Sequence, residues 1–365
     1  MIIVDAHEDL AWNARTFGRD YRRSAEETRS REQNTRIPEW NGNTLLGWPE
    51  WVEGRVGLIF STLFAAPERR KEGDWDILCY EDDEQAREIY YGQWEYYQEL
   101  FDQHPDQFTN ITSKADLERV IQAWEQDAAE QAPVGFLLLM EGADAVRDRD
   151  DLHRWYEQGV RLLGLSWART RYAGGTGEPG PLTADGRALI EEMSALGMIL
   201  DLSHLSPHGA LEALDSYDGE AVITHTAPLG TPTNRKAPER FVTAPVIERI
   251  AERDSVIGIV LASHFIRDDW TPAMGRAAVG LEDVAICIDS ICQQVGSASY
   301  VGIGSDFDGG FGLEKVPDGL DTVADIRLIG EALAPRGYSA EAIEAILGGN
   351  WLRVLRRSLP EHTSE

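Results

Sequence analysis

Eight short apolar runs punctuate the chain, near residues 2–6, 56–64, 134–140, 160–166, 197–203, 221–225, 255–262 and 300–305. They are continuous rather than alternating, as in Phe136-Leu137-Leu138-Leu139-Met140, the pattern of a strand buried on both faces. Between most of them apolar residues recur at helical spacing. The clearest case is 183–196, where Leu189, Ile190, Met193 and Leu196 share one face and Gly197 stops the helix. Similar patterns cover 82–103, 114–130, 147–158, 207–216, 244–253 and 278–295, and two more, 320–334 and 340–358, follow the last run. Strands alternating with amphipathic helices predict a parallel sheet, and eight such units predict an α/β fold of the (β/α)8 TIM-like barrel kind. The alternative is an open doubly wound sheet. Against it, no Gly-x-Gly-x-x-Gly turn opens a helix after the first run. The Gly-rich stretch 304–310 carries Asp306 and Asp308, which would repel a phosphate.

Two long connections break the rhythm. Residues 10–54 are rich in Arg, Glu and Trp, and 168–182 contain Tyr172-Ala173-Gly174-Gly175-Thr176-Gly177. In a barrel both lie above the C-terminal ends of the strands, where long loops serve as lids or specificity elements. There is no internal repeat, low-complexity tract or linker, so residues 1–365 read as a single domain.

Placed on that barrel, six polar residues acquire a common address. His7 and Asp9, Glu141, His204, His225 and Asp306 each stand at, or just past, the end of an apolar run. In a parallel barrel all six converge on one face. Three His, two Asp and one Glu together indicate a metal-dependent hydrolytic site at the C-terminal ends of the strands. His7 and Asp9 point the same way from an extended segment, and the two oxygens of Glu141 can bridge two cations. His204 and His225 end consecutive strands, as neutral imidazole ligands. Asp306 beside a metal can hold a water and accept its proton. Asp308 points away if the strand continues and reads as a cap for the next loop. His264, at the end of the seventh run, faces the same side, whereas His104, His153, His208 and His362 fall in helices, helix starts or the tail and read as surface residues. No Lys ends a strand, which removes a carbamylated Lys as the bridge.

Charge and cysteine usage narrow the partners. There are 63 acidic against 34 basic residues, a net charge of −29, and the only lysines are Lys71, Lys114, Lys236 and Lys315. Nothing here would neutralise a phosphate backbone, so nucleic acid and an anionic membrane surface are excluded as partners. Cys79, Cys287 and Cys292 form no Cys-x-x-Cys pair and no disulfide framework, which suits a reducing compartment. The first strand begins at residue 2, leaving no room for a signal peptide, and no run approaches the ~18 residues of a membrane span. The expected location is cytoplasmic.

The chain resembles the membrane dipeptidase (renal dipeptidase) family of zinc peptidases within the amidohydrolase-like barrels. The resemblance rests on Val4-Asp5-Ala6-His7-Glu8-Asp9-Leu10, Leu139-Met140-Glu141-Gly142, Gly159-Val160-Arg161-Leu162-Leu163-Gly164-Leu165 and the segment 196–204 ending in Ser203-His204. Thr224-His225-Thr226, the segment 301–309 and Gly348-Gly349-Asn350-Trp351-Leu352-Arg353-Val354-Leu355 complete it, in order and over nearly the whole chain. It implies two Zn²⁺ per chain, one held by His7 and Asp9, the other by His204 and His225, with Glu141 bridging. It implies that Asp306 holds the bridging water or the substrate amino group and that Arg235 grips the substrate carboxylate with its bidentate fork. Homodimers are common in that family, although no feature of this sequence specifies one.

One position departs from the family. Its well-studied members carry a His at the end of the fourth strand segment, in contact with the substrate carbonyl; here the segment reads Leu165-Ser166-Trp167-Ala168. An indole N–H can donate but cannot take up a charge. Either another group polarises the carbonyl, with His264 and Tyr172 as candidates, or the substrate differs. The expectation is therefore hydrolysis of a small amide, a dipeptide first, by a hydroxide bridging two zinc ions. Hydrolysis of an N-acyl amino acid, lactam or lactone, and a metal-binding barrel without turnover, are the alternatives.

Overall fold

All eight apolar runs are strands of one closed barrel. In the computed structural model, which describes residues 1–126, 132–228 and 238–362, they are β1 (Ile3–Glu8), β2 (Val56–Leu63), β3 (Val134–Glu141), β4 (Val160–Gly164), β5 (Ile199–Asp201), β6 (Ala221–Thr226), β7 (Ile257–Ile259) and β8 (Val301–Ile303). Every neighbouring pair is parallel, and β1 with β8 closes the ring. Every residue of these strands is buried, as expected where side chains fill the barrel on one face and meet helices on the other. Phe108–Asn110 adds a ninth strand on the outside of β3; three residues carry too short a pattern for the sequence to announce.

The predicted helices recur with their expected signals. Ala184–Leu196 starts where the Thr183 side chain accepts from Gly186 N and stops at Gly197, whose φ of 68° is left-handed. Asp82 caps Asp83–Gln103 and Ser113 caps Lys114–Glu125 in the same way; the predicted 114–130 helix ends at Glu125, with Gln126 extended, and 127–130 lie outside the described residues. The C-terminal pattern is finer than expected, with a π-turn at Ala345–Gly349 before Asn350–Ser358. Trp351 closes the bottom of the barrel, its Nε1–H donating to Ile303 O at 3.0 Å. A Cβ at Gly302 would collide with that indole.

The two long connections are built segments. Residues 10–54 form four short helices, Leu10–Phe17, Ala25–Glu32, Ile37–Trp40 and Trp48–Gly54. The charge-rich second of these has no apolar stripe by which to recognise it. Within the other connection, Ala173–Gly175 and Glu178–Leu182 pair as an antiparallel hairpin. Both connections rise over the C-terminal ends of the strands, where they contribute Trp12 and Thr176 to the walls of a cavity.

Asp308 fastens the first of them. It is fully buried, and its Oδ2 accepts from Arg19 Nη1 (2.9 Å), Tyr21 Oη (2.9 Å) and Thr44 Oγ1 (2.6 Å), while Oδ1 accepts from Leu45 N (3.1 Å). Arg19 completes the knot with two bonds to Glu32 and one each to Asn13 and Gly42 O. The expected loop cap is thus an anchor for a connection nearly three hundred residues earlier.

Candidate metal centre

The strand ends bring the six predicted residues together. Glu141 and Asp201 both stand opposite Gly164 in the ladder, so the ends of β3, β4 and β5 lie at one height. His7 and Asp9 leave β1 beside them. Glu141 is the hub: its Oε2 lies 3.5 Å from His7 Nε2, and its Oε1 lies 2.7 Å from His204 Nε2 and 3.6 Å from His225 Nε2. His7 Nε2 also sees Asp9 Oδ2 at 3.7 Å and Asp306 Oδ1 at 4.0 Å. The two groups His7–Glu141–His225 and His7–Asp9–Asp306 each bring their donor atoms within 4.8 Å of one another.

Threonines set how these side chains face. Thr62 Oγ1 donates to Asp9 Oδ1. Thr176 Oγ1 meets His204 Nδ1 at 2.8 Å, and Thr224 Oγ1 meets His225 Nδ1 at 3.0 Å while donating to Asp201 Oδ2 at 2.7 Å. Since the Thr224 hydroxyl gives its proton to Asp201, it accepts from His225 Nδ1–H, which leaves His225 Nε2 as a bare lone pair facing inward. That nitrogen lies 3.0 Å from His204 Nε2, with Glu141 Oε1 beside both. Buried His7 Nε2 has no hydrogen-bond partner among the described residues. Lone pairs crowded against a carboxylate repel unless a cation or proton stands between them. The donor set of imidazole nitrogens and carboxylate oxygens fits zinc.

Electrostatics show the same deficit. Burial and the neighbouring carboxylates push Asp306 well above the usual carboxylate range, His7 notwithstanding. Burial raises Asp9 to about 7. Burial alone would keep His7 neutral, but Glu141, Asp9 and Asp306 outweigh it and carry its pKa to about 10. Burial holds His204 down to about 4 and His225 well below the usual imidazole range. Glu141, opposed by burial but facing His7 and His204, stays ionised below its ordinary range. The cluster thus holds protons where it lacks cations.

The backbone is bent to make this site. Besides Asp308, His204 (φ 67°) and Asp306 (φ 61°) take left-handed conformations that non-glycine residues rarely adopt. The Asp306 carboxylate packs so closely on Gly309 that a Cβ there would collide with it and with Asp9.

The other sequence candidates divide. Trp167 lines the cavity, 5.2 Å from the Phe64 ring and 6.2 Å from that of His204. His264 lines it from the opposite side, against Phe265 and Phe311. Tyr172 does not reach it: its ring is buried and its hydroxyl donates to Val146 O. Arg235 lies outside the described residues. His153 bonds Glu192, and His208 and His362 are exposed, as expected of surface residues.

Sequence reasoning missed Arg240, which lines the same cavity. It is buried, donates from Nη1 to His225 O at 3.0 Å, and lies 5.2 Å from the Phe265 ring; Nη2 has no hydrogen-bond partner among the described residues. The only sequence signal is its place in the basic segment 235–240 of an otherwise acidic chain. The cavity encloses about 330 Å³.

The sequence pattern of the family described as membrane dipeptidase (peptidase family M19) matches residues 1–364. The chain belongs to the membrane dipeptidase family. Among relatives, an uncharacterised dipeptidase of Schizosaccharomyces pombe is 32% identical over 56% of this chain and 48% of its own length. Dipeptidase aclJ of Aspergillus oryzae is 31% identical over 61% and 51% respectively. The chain thus matches about half the length of these curated relatives. Two solved structures share the fold. Dipeptidase AC, a metallopeptidase of family M19, superimposes with a TM-score of 0.77 at 24% identity over 98% of this chain and 99% of its own. A metallopeptidase from Rhodobacter sphaeroides, bound to a phosphinate mimic of L-Ala-D-Ala, gives 0.76 at 23% over the same shares. No helix among the described residues is long and apolar enough to cross a membrane.

Proposed function

We propose that this protein is a dipeptidase dependent on two zinc ions. The observation that carries the reading is the position of Glu141, one oxygen turned to His7 and the other to His204 and His225. His7 and Asp9 would hold one ion, His204 and His225 the second, and Glu141 both. Bound there, the ions supply Lewis acidity and a water acidic enough to ionise near neutral pH.

The protein's own groups supply the rest. Asp306 carries the proton, taking it from the attacking water and returning it to the leaving amine. Its partly buried carboxyl, crowded by Asp9 and Glu141, is inclined to keep a proton once it has one. Arg240 and Lys315 offer positive charge on one side of the cavity for the substrate carboxylate. The Thr176 and Thr224 hydroxyls keep His204 and His225 turned inward. A mimic of L-Ala-D-Ala bound to the R. sphaeroides relative supports a dipeptide as the substrate class.

The presence of Trp167 in the cavity favours a second reading, hydrolysis of an N-acyl amino acid, lactam or lactone. Chelator-stripped enzyme reloaded with zinc should cleave members of a broad dipeptide panel. Failure on every dipeptide, with cleavage of an N-acyl amino acid, lactam or lactone, would replace the first reading by the second. Two equivalents of bound metal with no turnover would leave a binding protein.

A further inference from the structure

The cavity is divided by charge. Arg240, Lys315 and His264 stand on one side. The other side is a wall of rings, Trp12, Phe64, Trp75 and Trp167, with the carboxylates of Glu72 and Asp76 among them. The rings fix one another: Trp12 meets Trp75 edge-on at 6.2 Å and Phe64 at 6.4 Å, and Phe64 meets Trp167 at 5.2 Å. Behind Trp75 stack Trp40 at 5.8 Å and Phe17 at 5.6 Å, so the wall is backed by the 10–54 connection.

Neither acidic group in this wall has an ion pair among the described residues, and Glu72 is exposed. Of the nearby bases, Arg70 also lines the cavity, at its Trp167 end, away from Glu72 and Asp76 in its ion pairing. Arg70 donates to Thr176 O, lies 4.0 Å from Glu178 and 5.8 Å from the Trp167 ring, and Lys71 pairs with Glu68 at 3.1 Å. Buried Asp76 accepts from Glu72 N through Oδ2 and lies beside the Cys79 thiol, while Oδ1 has no hydrogen-bond partner among the described residues. Indole faces attract cations through their quadrupole, and a neighbouring carboxylate adds to that attraction.

Position in the cavity fixes which part of a substrate meets the wall. Trp12 lies one helical turn after Asp9, and Phe64 two residues after Thr62, which holds Asp9. The wall therefore stands on the Asp9 side, opposite the side where Arg240 bonds the His225 carbonyl. A dipeptide with its carboxylate toward Arg240 turns its amino-terminal residue to the rings. We infer that the wall of Trp12, Trp75, Glu72 and Asp76 is a subsite for a cationic side chain, Lys or Arg, on the amino-terminal residue of the substrate. This rests on the dipeptidase reading above.

The test is kcat/KM of the zinc-loaded enzyme on Lys-Ala, norleucine-Ala and Ala-Lys. Norleucine keeps the length and loses the charge. The expected preference for Lys-Ala over norleucine-Ala is about tenfold or more at low salt, shrinking as salt is added. Glu72→Gln, a surface change that leaves packing intact, should reduce that ratio at least about threefold, as should Asp76→Asn and Trp75→Leu. Equal rates on Lys-Ala and norleucine-Ala, or a preference for Ala-Lys, would overturn the inference and leave the dipeptidase standing. Cleavage of no dipeptide at all would overturn both.

Discussion

Arg19→Met tests the anchor that ties the 10–54 connection to the end of β8. Arg19 and Asp308 form an ion pair with both side chains fully buried, and Arg19 also holds Glu32 through two nitrogens. Methionine fills the space of the stem but removes every donor, leaving the Asp308 and Glu32 carboxylates buried beside each other without a cation. Breaking a buried pair from one side costs about 3–5 kcal/mol, most of it the penalty of the stranded charge. An unfolding entropy of ~2.1 cal/mol/K per residue gives ~0.8 kcal/mol/K for a chain of this length, so the melting temperature should fall by about 4–6 °C. Arg19→Lys should fall between, because an ammonium cannot reach Asp308, Glu32, Asn13 and Gly42 at once. Differential scanning calorimetry at fixed metal concentration measures both. A drop under about 1 °C for Arg19→Met would refute the reasoning and make the knot an ordinary surface pair.

Four further outcomes are expected. Glu141→Gln should lose most bound metal by elemental analysis, and full occupancy would contradict a bridging role. Thr176→Val should weaken metal affinity about 10–100-fold in a chelator competition, since His204 loses the partner that orients it; unchanged affinity would show that Thr176 only packs. Asp306→Asn, which tolerates the left-handed backbone, should fold normally but lose at least about a hundredfold in kcat, and near-normal turnover would remove the proton carrier. In the metal-free protein His7 has its pKa raised from 6.5 to about 10, so its contribution is complete below about pH 6.5 and lost as pH rises through about 10. Asp9, raised to about 7, adds a loss of the same sign between about pH 4 and 7, opposed there by His204 and His225, whose pKa values burial lowers. Urea unfolding of the metal-free protein should therefore show stability falling as pH rises from about 7 to 10, a fall absent in His7→Asn. Stability rising with pH over that alkaline range would refute it.

The barrel and its chemical face were legible because both follow from periodicity. Continuous apolar runs mark strands buried on both sides, and in a parallel barrel every strand end faces the same way, so His7, Glu141, His204 and His225 could be placed together without a contact map. What hid was whatever depends on loops meeting other loops. Arg240 reaches the cavity from a turn beyond β6, and Tyr172, in a loop that does border the site, spends its hydroxyl on Val146 instead. Trp12 and Trp75 come from different connections and meet only through packing. Asp308 looked like a cap because its donors lie nearly three hundred residues away in sequence. The threonines behind the ligands left no signal, since a hydroxyl at a strand end is common and its partner is set by the ladder register.

The left-handed backbone at His204 and Asp306 bears on how this protein would respond to selection. Such a conformation costs about 1–3 kcal/mol for a residue with a Cβ, and Gly alone adopts it freely. Replacing either residue by Gly relieves the backbone, and at 306 it also removes a carboxylate from a crowded pocket. A directed-evolution library screened for heat resistance alone would therefore enrich changes at these two positions and discard function round by round. Only a screen that scores turnover in parallel would retain them.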